Sequence, residues 1–156
     1  FGPAVGKALL AAGLMLPSRG SILVSLSDKS KAESVPMLRK LAESNYKLYA
    51  TEGTAVMLGR LGLPVKAVLH RLGAGHPNVV DVIREGVVDA VVNTITGDHG
   101  AIKDGFEIRR AAAEKRIPCF TSLDTAGAAV DNLAAGKNTF SVKPFPTYRS
   151  ARNRDL

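Results

Sequence analysis

The sequence has little cysteine, few aromatic residues and no long apolar run. Its single cysteine, Cys119, cannot form an intrachain disulfide, and three dispersed histidines give no pattern for structural zinc. We therefore expect a reducing, cytoplasmic setting. Glycine, proline or a charge interrupts every apolar segment before it reaches the roughly 18–20 residues that a membrane span needs. This excludes a transmembrane protein, and we expect no membrane partner.

Basic residues exceed acidic ones, which favours a polyanionic partner such as nucleic acid or a phosphorylated ligand. The net charge is +7, but residues Lys137–Leu156 contain five basic side chains and one acidic one, so more than half of it lies there. Tryptophan is absent and aromatic residues make up only 5% of the chain, so a stacking surface for single-stranded nucleic acid is missing. We expect no nucleic-acid partner.

Short apolar strands alternate with amphipathic helices along the 156 residues, a length suited to one domain. The pattern predicts strands at 22–26, 47–51, 65–69, 89–93 and 119–122. It predicts helices at 3–14, 31–43, 53–61, 78–84, 106–116 and 125–133. Continuously apolar strands joined through helices indicate an α/β fold, a three-layer sandwich around a five-stranded parallel sheet.

The chain divides into three predicted parts. Residues 1–20 are a leading helix and an irregular link, 21–142 the α/β domain, and 143–156 a weakly ordered basic tail. Residues 139–142 could add a short edge strand. Because the first residue, Phe1, is neither an initiator methionine nor the start of a signal peptide, we expect a piece of a longer chain.

Polar and glycine-rich segments follow four of the predicted strands, and the ends of parallel strands meet at one edge, where ligands bind. Thr51-Glu52-Gly53-Thr54 opens a helix, where glycine allows close approach and free N–H groups favour an anion. Asn93-Thr94-Ile95-Thr96-Gly97 follows a neighbouring strand. Lys29 and Arg71, at two further ends, could supply positive charge. The alternatives are a threonine that merely caps a helix, a polar turn and solvated basic residues.

Other candidate sites are weaker. Asp98-His99 has no second ligand pair at metal spacing. Cys119 falls on a predicted buried strand and is interpreted as a core residue. Arg109 and Arg110 point about 100° apart on a helix, so they cannot both line one site. No Gly-Lys-Ser/Thr follows the glycine-rich segments, which argues against a Walker loop and nucleotide hydrolysis.

Several segments together resemble the methylglyoxal-synthase-like C-terminal regulatory domains of carbamoyl-phosphate synthetase large subunits, over nearly the whole chain. They are Phe1-Gly2-Pro3-Ala4, Lys7-Ala8, Ala11-Ala12-Gly13, Leu16-Pro17, Ser27-Asp28-Lys29, Ala50-Thr51-Glu52-Gly53-Thr54-Ala55, Gly75-His76-Pro77-Asn78, Asn93-Thr94 and Ile108-Arg109-Arg110-Ala111. The first of these resembles the end of the preceding synthetase half.

The resemblance implies an allosteric module that binds effectors, such as UMP as inhibitor and IMP as activator in bacterial enzymes. It implies no catalytic residue, metal or cofactor in this chain. The resemblance and the two threonine-glycine motifs together imply ten effector-binding positions. They are Ser25, Lys29, Thr51, Gly53, Thr54, Arg71, Asn93, Thr94, Thr96 and Gly97. Arg71 stands where the family has a lysine. The ornithine-contacting Tyr-Asp-Thr of enteric-type enzymes falls at Cys119-Phe120-Thr121, where only Thr121 matches.

The parent protein implied by this resemblance is a glutamine-hydrolysing carbamoyl-phosphate synthase, a ligase of pyrimidine and arginine biosynthesis. It would need ATP, Mg²⁺ or Mn²⁺, and K⁺ in its synthetase domains. The implied partners are those preceding synthetase domains, a glutaminase small subunit and the phosphorylated effector, with oligomerisation left open.

The alternative function is a methylglyoxal synthase, a phosphate-eliminating lyase on dihydroxyacetone phosphate with the same fold. Its chemistry needs a carboxylate base beside the bound phosphate. The lyase has an aspartate just after its Gly-Gly, where this chain has Gly75-His76-Pro77. Asp81 lies about one helical turn further on and is expected to point elsewhere, so we predict no lyase activity.

Overall fold

A five-stranded parallel sheet forms the centre of the computed structural model, which describes residues 2–95 and 99–135. The strands are β1 (Ser21–Ser25), β2 (Lys47–Thr51), β3 (Val65–Leu69), β4 (Ala90–Asn93) and β5 (Cys119–Phe120). They lie in the order β3-β2-β1-β4-β5, and every pair is parallel. The helices are α1 (Gly2–Ala11), α2 (Asp28–Glu43), α3 (Glu52–Arg60), α4 (Val79–Arg84), α5 (His99–Glu114) and α6 (Leu123–Ala134).

Alternating strand residues face two separate apolar clusters, one on each side of the sheet. In β1, Ile22 and Val24 pack with α1, α2, α3 and α6, whereas Leu23 packs with α4 and α5. All three side chains are fully buried. The predicted three-layer α/β sandwich with a five-stranded parallel sheet is therefore confirmed.

The leading helix is packed onto this body. Leu9 of α1 and Leu16 of the following link are both buried in the larger cluster. The Tyr46 hydroxyl donates a hydrogen bond to the carbonyl oxygen of Pro17. The link at 16–20 has no regular secondary structure, as predicted, yet it is anchored at two points. The predicted helix at 3–14 ends earlier than expected, at Ala11.

Two helices begin three or more residues earlier than the sequence pattern predicts. The second helix starts at Asp28 instead of residue 31, and α5 starts at His99 instead of residue 106. The first turns of α5 contain Gly100 and Gly105, and their apolar Ile102 is half exposed. Without apolar residues at helical spacing, this segment carries no periodic signal, and the helix is set by tertiary packing.

The last predicted strand is shorter than expected, because Ser122 is the N-cap of α6 and the strand ends at Phe120. The predicted edge strand at 139–142 and the basic tail at 143–156 lie outside the described residues. None of the described helices is long and apolar enough to cross a membrane.

Candidate functional site

A cleft of about 600 Å³ opens at the carboxyl ends of β1, β2 and β4. This is where the strand order reverses, between β1 and β4, the place at which open parallel sheets bind ligands. Eight of the ten predicted site residues line it, namely Ser25, Lys29, Thr51, Gly53, Thr54, Arg71, Asn93 and Thr94. The other two, Thr96 and Gly97, lie outside the described residues.

Two helices point their N-termini into this cleft. The N-cap residues, Ser27 of α2 and Thr51 of α3, have extended backbones, and neither side chain caps its helix. The N-cap side chains therefore satisfy none of the first-turn N–H groups, although Ser30 N–H donates to the Ser27 carbonyl oxygen at 3.0 Å. Both helix dipoles favour negative charge here. This finding contradicts the alternative that Thr51 merely caps α3. Gly53, in the first turn of α3, leaves open backbone for a close ligand.

Threonine hydroxyls tie the loops around the cleft together. The Thr54 hydroxyl oxygen accepts a hydrogen bond from the Leu26 backbone N–H at 3.1 Å, and the Thr94 hydroxyl oxygen accepts one from Ser27 N–H at 3.0 Å. The Thr51 hydroxyl donates to that of Thr54 at 3.3 Å. The ends of β1, β2 and β4 are thus fixed to one another, and the Thr54 proton remains available to a ligand oxygen.

A buried hydrogen-bond donor lies at the floor of the cleft. Asn93 is 3% exposed, and its Nδ2 atom has no hydrogen-bond partner among the described residues. Gly105 of α5 lies close by, since a Cβ added there would be 3.3 Å from Asn93 Nδ2 and would clash with Ile95. A buried amide donor is costly unless something accepts from it, so its position in the cleft points to a ligand oxygen.

Basic and acidic side chains face each other inside the cleft. Lys31 Nζ lies 2.6 Å from Asp28 Oδ1, and Arg71 Nη2 lies 3.2 Å from Asp104 Oδ2. The hydrogen bond from Lys31, and then its charge, hold the pKa of Asp28 below its ordinary value of 3.8. Lys29 is exposed and has no such carboxylate partner in the described part of the chain. The cleft thus offers three cationic side chains, Lys29, Lys31 and Arg71, to an anionic ligand.

Sequence reasoning missed Lys31, Asp104 and Gly105. Lys31 is only partly exposed, and its ammonium lies 3.3 Å from the position that a Cβ of Gly53 would occupy, deeper in the site than exposed Lys29. A helix start at Asp28 would have placed Lys31 one turn inside α2, on the cleft side. Asp104 and Gly105 carried no usable signal, because the predicted start of α5 lay beyond them.

Two other candidates lie away from the cleft. Asp81 Oδ2 accepts hydrogen bonds from Asn78 N–H at 2.9 Å and pairs with His76 Nδ1, so this carboxylate caps α4. The Asn78 N–H, and then His76, hold the pKa of Asp81 below its ordinary value. Burial raises the pKa of the Cys119 thiol, against a smaller lowering by Arg109, which is opposite to what an activated thiolate requires.

Residues 2–95 and 99–135 contain no group of three or more His, Cys, Asp or Glu side chains that could hold a metal ion. Asp98 of the weak metal candidate lies outside these residues. Another groove, of about 380 Å³, runs between α2 and α6 beside the Lys40–Asp131 ion pair, and it contains none of the predicted site residues.

Known proteins resemble this chain in sequence and in fold. Over 150 residues the chain is 48% identical to the carbamoyl phosphate synthase large chain of Thermomicrobium roseum, covering 96% of this chain and 14% of that protein. Over 133 residues it is 43% identical to the carbamoyl phosphate synthase large chain, C-terminal section, of Methanopyrus kandleri, covering 85% and 24%. The chain thus spans a quarter or less of the length of these relatives.

Among solved structures, methylglyoxal synthase from Elizabethkingia anophelis NUHP1 has the same fold, with a TM-score of 0.56 and 20% identity. The superposition covers 86% of this chain and 92% of that one. The MGS-like domain family matches residues 33–121, more than half of the chain. These matches confirm the resemblance found in the sequence: the chain belongs to the MGS-like domain family.

Proposed function

We propose that this chain is the effector-binding regulatory domain of a carbamoyl-phosphate synthase large chain, and that its cleft binds a phosphorylated nucleotide of the UMP or IMP class. Two relatives at 43–48% identity bear the large-chain name. The proposed domain would control ATP-dependent carbamoyl phosphate synthesis in residues outside this chain.

The observation that carries the proposal is a buried donor and two uncapped helix N-termini in one cleft. Asn93 and the first turns of α2 and α3 all line it, and each of them carries N–H donors. Donors without acceptors suit an oxygen-rich anion, and backbone N–H groups at helix N-termini suit phosphate in particular. A volume of about 600 Å³ lies within the usual range for small-molecule sites.

Each group has a role in this proposal. The phosphate lies at the first turns of α2 and α3, where Lys31 and Arg71 supply charge. The Thr54 hydroxyl donates to an oxygen of the phosphate, the Thr51 hydroxyl does so by exchanging its bond to Thr54 for one to the ligand, and the Asn93 amide donates to a second oxygen of the ligand. Lys29, on the exposed rim, attracts the anion from solution.

Regulation requires that the effector bind one arrangement of the whole protein better than another. A coupling free energy of roughly 1–3 kcal/mol is typical and is sufficient. In this proposal the parent protein supplies the preceding synthetase domains, binds the glutaminase small subunit, and uses ATP, Mg²⁺ or Mn²⁺, and K⁺ for the synthetase reaction. The parent protein is cytoplasmic and acts in pyrimidine and arginine biosynthesis.

A thermal-shift screen with UMP, UTP, IMP, ornithine and N-acetylglutamate tests the proposal. A ligand at about 100 times its Kd adds roughly 2.7 kcal/mol to the free energy of unfolding. We expect a shift with at least one nucleotide and a smaller one in Thr51→Ala. Thr125→Ala, on α6 away from the cleft, is the matched control and should shift like the wild type. No shift with any nucleotide, or an undiminished one in Thr51→Ala, would refute the assigned site.

A further inference from the structure

An ion pair joins two separate elements that line the cleft. Arg71 follows β3 at one edge of the sheet, and Asp104 lies on α5, which follows β4. Two strands, β2 and β1, separate β3 from β4, yet Arg71 Nη2 reaches Asp104 Oδ2 at 3.2 Å. The pair therefore joins the segment after β3 to α5 within the lining of the cleft.

We propose that Asp104 is an internal competitor for the anionic ligand, holding Arg71 until a phosphate takes the place of its carboxylate. This inference rests on the proposed function, since it concerns the same cleft. It adds Asp104 as a residue that determines selectivity, and it adds a structural change on binding: the Arg71–Asp104 ion pair, which joins the end of β3 to α5, breaks when the ligand binds.

The exposures of the two side chains support this division of roles. Arg71 is 61% exposed, so its long side chain is free to turn toward a ligand, whereas the shorter Asp104 side chain on α5 is only 23% exposed. An exposed pair of this kind contributes little, so it can be displaced by a dianion at a modest loss of affinity. A neutral ligand has no charge with which to displace it.

The other carboxylates of the cleft differ in this respect. Asp28 and Lys31 both lie in α2, one helical turn apart, so breaking their ion pair does not disconnect one element from another. Glu52 Oε1 lies 3.1 Å from His70 Nδ1 and holds no lysine or arginine in the described residues. Glu52 therefore supplies a matched control, a cleft carboxylate whose removal releases no permanent cation.

The test is the Kd of inorganic phosphate at fixed ionic strength, measured by NMR titration of the wild-type chain and of Asp104→Asn, Arg71→Met, the double variant and Glu52→Gln. Asp104→Asn should bind phosphate about two- to fivefold more tightly, because Arg71 is released. In the Arg71→Met background the same change should give no gain, and Glu52→Gln should gain less than Asp104→Asn. Should Asp104→Asn fail to fold by thermal melting, Asp104→Ser replaces it.

Three results would overturn the inference: unchanged or weaker binding by Asp104→Asn, an equal gain in the Arg71→Met background, or an equal gain in Glu52→Gln. In each of these cases the wild type still binds phosphate, so the proposed function survives. If no variant binds phosphate and no nucleotide shifts the melting temperature, both the proposed function and this inference fail.

Discussion

At the scale of single residues, the buried amide of Asn93 is the feature that folding alone does not account for. Its Nδ2 donor lacks a partner among the described residues, although the residue is buried at the end of a central strand. Such a donor weakens the folded state unless a ligand accepts from it. Removing the Asn93 amide should therefore affect the stability of the chain and its affinity for the ligand differently.

We predict that Asn93→Ala weakens binding of a phosphorylated effector by about 10- to 100-fold, the effect of losing one hydrogen bond to a charged group. The free energy of unfolding should change little, since the lost packing is offset by removal of an unsatisfied donor. Calorimetric titration and urea denaturation measure the two effects. Asn132→Ala, on α6 away from the cleft, should retain affinity; equal affinity in Asn93→Ala would contradict the account.

At the scale of elements, α1 tests whether the leading segment is part of the folded unit. Leu9 is 6% exposed and packs in the larger cluster, whereas its neighbour Leu10 is 51% exposed. Leu9→Ala should lower the free energy of unfolding by about 2–3 kcal/mol. Leu10→Ala should change it by no more than about 0.5 kcal/mol. Equal effects of the two substitutions in urea denaturation would show that α1 does not pack as described.

The capping carboxylate of α4 gives a pH-dependent prediction. Because the folded-state pKa of Asp81 is lowered, its contribution to stability is present above the ordinary pKa of 3.8 and is lost as the pH falls through the lower folded-state value. Asp81→Asn should be less stable than the wild type near neutral pH, and the difference should narrow in acid. Urea denaturation across this pH range checks it.

The control for Asp81 is Asp124→Asn, in the first turn of α6, because Asp124 receives no such hydrogen bonds from the described residues. Asp124→Asn removes a first-turn carboxylate without removing a hydrogen bond of this kind, so it controls for the loss of charge near a helix N-terminus. A difference for Asp81→Asn that stays constant with pH would contradict the role of this carboxylate as a cap.

Element boundaries also show what the sequence could and could not predict. The strands were predictable because buried parallel strands are short apolar runs. The start of α4 was predictable to within one residue, because its N-cap, Asn78, is a residue type that commonly caps helices. The start of α5 was not, since its first turns have glycines and an exposed Ile102 in place of an apolar stripe. The cleft residues on strand ends followed from topology, while Asp104 and Gly105 did not, because only the packing of α5 brings them there.

At the scale of the whole molecule, the shared fold does not by itself decide between a regulatory domain and a lyase. The structural relative from Elizabethkingia anophelis is a methylglyoxal synthase at 20% identity, which establishes fold alone. Asp81, the carboxylate after His76-Pro77, caps α4 outside the cleft. Asp28 and Asp104, which do line the cleft, are both paired with cations.

We therefore predict that the purified chain releases no inorganic phosphate from dihydroxyacetone phosphate above a heat-killed control. Asp28 is a poor general base, because its pairing with Lys31 lowers its pKa and so weakens its basicity. A colorimetric phosphate assay measures the rate. Release above the control that is lost in Asp104→Asn would show that the cleft carries lyase chemistry.

The central claim is that the cleft at the ends of β1, β2 and β4 binds a phosphorylated effector, and the most direct measurement is an amide NMR titration of the chain with UMP and IMP. With at least one of them, the account predicts the largest shifts at the backbone N–H groups of Lys29, Gly53 and Thr54 and at the side-chain amide of Asn93. Shifts centred instead on the groove between α2 and α6, at Met37 and Gly127, or no shifts with either nucleotide, would contradict it.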